Sequence, residues 1–123
     1  MALPRCSAKI LSPLLALTAL AHGSFAAAQE GKGIRFWNLT LHTITHLHMS
    51  PAGQNRWGAD QCRNDRDGTV EHDERLRITG ITPGRYDLSL EDDTGRKCIV
   101  RNIDVQAGAV FAIEERQLTG CGD

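Results

Sequence analysis

Residues 81–105 read Ile81-Thr82-Pro83-Gly84-Arg85-Tyr86-Asp87-Leu88-Ser89-Leu90-Glu91-Asp92-Asp93-Thr94-Gly95-Arg96-Lys97-Cys98-Ile99-Val100-Arg101-Asn102-Ile103-Asp104-Val105. Tyr86, Leu88 and Leu90 alternate with Arg85, Asp87 and Ser89, the period-two pattern of a strand with one dry face. Asp92-Asp93-Thr94-Gly95 is hairpin-turn chemistry, with glycine free to adopt a positive φ. Lys97 to Val105 then reads as a second strand carrying Ile99, Val100, Ile103 and Val105. Two adjacent strands and no window of sustained helical periodicity in residues 29–123 set an all-β expectation.

The pattern continues on both sides. Upstream, Ile34 to Leu39 is rich in apolar and aromatic residues and reads as a strand. Thr43 to Met49 reads as another, opened by β-branched Thr43, Ile44 and Thr45. Ser50-Pro51-Ala52-Gly53-Gln54-Asn55 is turn chemistry, closed by Trp57-Gly58-Ala59-Asp60. A polar loop follows to about Asp73, and Glu74 to Ile78 alternates with Leu76 and Ile78 facing one way. Downstream, Ala109 to Ile113 reads as a strand and Gln117 to Asp123 as a polar tail. About six short strands at turn spacings of eight to twelve residues predict a small antiparallel β-sandwich, immunoglobulin-like or similar, with a small barrel as the alternative.

Residues 1–28 read as a secretory signal peptide. Arg5 and Lys9 supply the positive start, Ile10 to Ala21 the apolar run, and Ala26-Ala27-Ala28 the small residues before a cleavage point at Gln29. The apolar run is too short to cross a bilayer, which takes ~20 residues. Cleavage leaves residues 29–123 as one domain. It removes Arg5 and Lys9, taking the formal charge from -1 to -3. The expected location is periplasmic or secreted, with no membrane association after processing. So balanced a charge excludes a polybasic nucleic-acid binder, and aromatics at 5% argue against a base-stacking platform.

Export also bears on the cysteines. Cys6 leaves with the leader, and an oxidising compartment favours one disulfide among Cys62, Cys98 and Cys121. Cys98 opens one strand and Cys121 follows the next, so a hairpin favours that pair. Cys62, in the long loop, is open to either partner.

The succession Ser50-Pro51, Trp57-Gly58-x-Asp60, Pro83-Gly84-x-Tyr86-Asp87 and Asp93-x-Gly95 resembles a group of small exported proteobacterial β-sandwich proteins of uncharacterised function. The likeness spans most of residues 34–105 and implies fold and compartment, with no activity to carry over. The acidic loop between Asp60 and Glu74 departs from it by its length. The Pro83-Gly84-x-Tyr86 turn also resembles the end of an immunoglobulin-like module, which implies that Tyr86 packs at a sheet corner.

Three constellations carry chemistry-bearing residues. With Gly68 as the sixth position of a calcium loop, Asp65, Asp67, Thr69, Glu71 and Glu74 fall at positions three, five, seven, nine and twelve, where Ca²⁺ takes oxygen ligands. Arg63 at position one carries the wrong charge, and the competing reading is a solvated acidic turn. His42, His46 and His48 share strand parity and could meet Cu²⁺ or Zn²⁺ on one face. Met49, of opposite parity, is expected inside with Leu47. Trp37 and Trp57 could stack on a sugar, although one tryptophan in the core and one capping it is the commoner arrangement. Asn38-Leu39-Thr40 matches a glycosylation acceptor by chance. No nucleophile elbow, phosphate loop or zinc-hydrolase motif is present, so no enzyme activity is expected. The chain is expected to bind or brace, with a periplasmic protein as partner and no cofactor; the alternative is a divalent-metal-binding protein using one of the first two constellations.

Overall fold

A computed structural model describes residues 33–122, so the leader read in residues 1–28 lies outside the described part. Seven strands form: β1 Arg35–Leu39, β2 Ile44–Pro51, β3 Arg75–Arg77, β4 Gly84–Asp92, β5 Lys97–Val105, β6 Val110–Glu114 and β7 Cys121–Gly122. They lie in two sheets, ordered β3-β1-β6 and β2-β4-β5-β7. One apolar cluster joins them. Phe36, Leu76, Phe111 and Ile113 from the first sheet meet Leu47, Met49, Leu88, Leu90, Val100 and Val105 from the second. Met49 and Leu47 are both inside, as their parity requires. Each such side chain stabilises the sandwich by about 1.5–3 kcal/mol.

All strand pairs are antiparallel except β1 with β6. The exception arises because β6 does not fold back on β5. The turn after Val105 carries the chain to the other sheet, where β6 runs beside β1. Phe36 sits opposite Phe111, their ring centroids 5.7 Å apart, an aromatic pair that fixes this register.

Two β-bulges change the surroundings or the facing of side chains from what plain alternation assigns. Across β4 and β5, Tyr86 faces Ile103 but Leu88 faces Val100, so Asp87 stands against two residues, Arg101 and Asn102. Asn102 takes a φ of 60° to make this possible. Asp87 is expected to face water; instead it is 2% exposed. Its carboxylate accepts from the Gly53 and Asn102 amides, both at 2.9 Å, and from Arg101 Nη1 at 3.1 Å. Tyr86 does take the sheet corner, its hydroxyl donating to the Thr82 carbonyl at 2.7 Å.

The polar tail ends in β7, which places Cys121 directly opposite Cys98, and the two are disulfide-bonded. The pair favoured from the sequence is the bonded one, by a different route. The strand next to β5 here is β7, since β6 has left for the other sheet. Gly120 lets the segment approach, because a Cβ there would lie 2.8 Å from the Ile99 carbonyl oxygen.

Leu88→Ala, at a fully buried position facing the other sheet, is expected to cost about 2–5 kcal/mol by chemical denaturation. For Asp87, the Gly53 amide is the foremost of the groups that hold its carboxyl below the ordinary value of 3.8, outweighing burial. The folded value lies below the unfolded one, so its stabilisation is complete above that ordinary value and is lost as pH falls through the folded value. Asp87→Ala is expected to cost about 3 kcal/mol at neutral pH, with the difference from the parent shrinking in acid-unfolding curves.

Candidate functional site

Strand β2 lies at the edge of its sheet, and an open edge of unpaired amides and carbonyls needs covering. The chain beyond its turn does this. Gly58 N–H donates to the Met49 carbonyl at 2.9 Å, and Ile44 exchanges two 2.9 Å bonds with Val70. Between these, Asp60 substitutes a carboxylate for a strand. Its Oδ1 accepts from the Leu47 amide and from the Cys62 amide, both at 3.0 Å, the second of these capping a 3₁₀ turn at Gln61–Asn64. Its Oδ2 lies 2.7 Å from His46 Nδ1. Burial pushes the Asp60 carboxyl up, but the Leu47 amide, the His46 ring and the Cys62 amide outweigh it and hold the group below its usual range.

His46 and His48 stand on the outward face of β2. Both rings are oriented through Nδ1, His46 by Asp60 and His48 by the Gly58 carbonyl at 2.8 Å. A carbonyl only accepts, so Nδ1 of His48 is the donor in this contact. His42 does not join them. The second bulge, between Ile44 and His46, breaks the parity that would align all three. Ile44 and Leu47, three apart, are both buried, which shows the slip. His42 instead sits 3.6 Å from Asp93.

The acidic loop is folded upon itself. Asp65 Oδ1 accepts from the Asp67 amide, its carbonyl accepts from Gly68, and Gly68 takes a φ of 74°. Glu74 Oε2 accepts from the Glu71 amide at 2.7 Å. Burial, together with the neighbouring Asp65 and Glu71 carboxyls, pushes the Glu74 carboxyl up. Val70, at the eighth loop position, is fully buried and bridged to Ile44. Asp65, Asp67, Thr69, Glu71 and Glu74 therefore belong to an acidic turn pinned by Val70. Among the described residues, no three His, Cys, Asp or Glu side chains come together in a way that could hold a metal ion.

The tryptophans are separate. Trp37, on the outer face of β1, donates its indole N–H to Asp73 Oδ1 at 2.9 Å, and the Arg75 guanidinium lies 4.1 Å from its ring centroid. Trp57 is 37% exposed in the loop after β2. Neither fills the core. Cys62 is the free cysteine of the described residues, a buried member of the 3₁₀ turn; burial foremost, then the negative charges of Asp60 and Asp65, push its thiol up to about 12. Asn38 is fully enclosed, which removes it as a glycan acceptor. Sequence reading missed Asp60 as the organiser of this edge. The available signal was its position at the end of the Trp57-Gly58-Ala59-Asp60 turn, where an N-cap for the next turn belongs.

Comparisons of the chain with protein-family models, with curated proteins and with solved structures gave no match.

Asp60→Ala frees the Leu47 and Cys62 amides and is expected to cost about 2 kcal/mol in denaturant. It should also expose Cys62. In the parent, peptide mapping after a thiol reagent should find Cys62 unmodified until unfolding, and in the variant modified under native conditions. Millimolar Ca²⁺ is expected to leave the melting temperature unchanged, whereas a ligand confined to the native state would raise it.

Proposed function

We propose that this chain is an exported, non-catalytic accessory domain of the periplasm, working by binding or bracing a periplasmic protein. The observation that carries the reading is the Cys98–Cys121 disulfide, placed where it staples the last strand to the sheet. Such bonds persist in oxidising compartments and are reduced in the cytosol. The leader pattern of residues 1–28 supports the same compartment, as does the resemblance to small exported proteobacterial proteins. Cys62 supports it differently: its thiol is enclosed and poorly ionised, and so is withheld from unwanted exchange where disulfides form. The accessory role follows from what the polar groups do. Asp87, Asp92 and Asp60, the strongly engaged carboxylates, are each occupied by backbone amides, Asp92 within its own turn and Asp87 and Asp60 across to neighbouring segments.

Fractionation with mass spectrometry tests the reading. The expected species starts at Gln29, lies in the periplasmic or external fraction and carries the Cys98–Cys121 link. An unprocessed, reduced chain in the cytosol would sink it. Cys98→Ser is expected to lower stability by about 3 kcal/mol relative to the oxidised parent, the loop-closure effect for a link of sequence separation 23.

A further inference from the structure

The outer face of the three-stranded sheet is a grid whose rows follow from the register. Arg77, Arg35 and Val110 form one row across β3, β1 and β6; Arg75, Trp37 and Ala112 form the next. Their neighbours Leu76, Phe36 and Phe111 point into the core, so these side chains point out. Three guanidiniums thus share one face of a chain whose formal charge is -1. Arg35 and Arg77 are direct cross-strand partners, an arrangement that destabilises a sheet when nothing sits between the charges. Among the described residues, none of the three has a carboxylate within ion-pair distance, while Arg101 and Arg116 each have one and Arg96 has two. Arg35 Nε is enclosed with no acceptor.

The indole beside them is held rigidly. Asp73 accepts its N–H and Arg75 covers one side. Asp73 keeps a φ of 68°, in the left-handed region that aspartate enters more readily than most side-chain-bearing residues. Across β1, Ala112 offers only a methyl group, so nothing bulky from that row covers the other side of the ring. A guanidinium stacked on an aromatic ring keeps its N–H edges free for an oxyanion and has already lost the freedom that binding would otherwise remove.

We propose that this face binds an anionic polysaccharide with one carboxylate per sugar ring. Guanidinium forks match carboxylates, and an indole flank matches the apolar face of a sugar ring. Strand geometry sets the backbone positions that carry these arginines about 4.8 Å apart across strands and about 6.7 Å apart along one. A duplex presents its phosphates without an apolar ring face for the indole, so the pairing of guanidiniums with an aromatic flank favours the sugar polymer. An extended acidic peptide would more readily add to a sheet edge than lie on a face. The proposal does not rest on the compartment assigned above.

Binding of the purified full chain to polygalacturonate, measured at low and at physiological salt, tests it. The expected result is binding that weakens as salt rises and that is lost for the fully methyl-esterified polymer. Arg75→Gln and Arg77→Gln are each expected to weaken it about tenfold. In a Trp57→Phe background, Trp37 emission should shift on binding. Arg77→Glu gives Arg35 a cross-strand partner and should abolish binding while raising the melting temperature, so lost affinity is told apart from lost fold. Binding unchanged in the arginine variants, no binding at low salt, or tighter binding to the esterified polymer, poly-glutamate, single-stranded DNA or phosphatidylglycerol vesicles would each overturn the proposal.

Discussion

The side chain of Asn38 is the constraint on which the two-sheet arrangement turns. β1 belongs to one sheet and β2 to the other, so the connection at residues 40–43 must cross between them. Leu41 is 69% exposed on the way, but Thr40 is fully buried, and a buried backbone group needs a partner. Asn38 answers with every atom it has. Its Nδ2 donates to the carbonyls of His42 at 2.9 Å and Val70 at 2.8 Å, and its Oδ1 accepts from the Thr40 amide and hydroxyl. Its backbone pairs with Glu74 and Asp73. One buried amide therefore links the sheet crossing, the acidic loop and the start of β3, and an apolar substitute would strip the buried Thr40 amide of the acceptor that Oδ1 supplies.

Carboxylates do similar work elsewhere, each where a ladder is interrupted. Asp60 stands in for a missing partner strand along β2, Asp87 fills the bulge between β4 and β5, and Asp92 organises the hairpin through Thr94 and Arg96. Arg96 extends the last of these to Glu115, which in turn accepts from the Leu41 amide. The second half of the chain is thereby tied back to the sheet crossing. Side-chain oxygens bonded to backbone amides make the irregular parts of the sandwich as well satisfied as the regular ones.

This division explains what the sequence disclosed. Strands with strict alternation were legible: Tyr86, Leu88 and Leu90 are buried as their spacing requires, and the hairpin lies where Asp92 to Gly95 place it. Asp87 and His42 were misplaced because period-two reasoning carries no information about a bulge, which is set by tertiary fit. β7 was hidden because two residues make no pattern; only the partner across the sheet makes a strand of them. The parallel pairing of β6 was equally invisible, since Ala109 to Ile113 alternates the same way whichever neighbour it meets. At the edge of β2, the histidines could be seen in the sequence, but the carboxylate that orients one of them lies fourteen positions away and has no periodic signature.

The place of β1 between β3 and β6 has a kinetic consequence. Arg35 is paired with Arg77 on one side and Val110 on the other. The apolar segment around Phe36 and Trp37 precedes both of its neighbours in the chain, and its second neighbour, β6, follows it by most of the domain. Closure of such long loops before any reward makes assembly slow on the scale of sequence-local folds, and leaves a sticky strand bare meanwhile. Until β6 arrives, that strand presents an unpaired edge and an apolar side, the kind of surface on which incomplete chains associate.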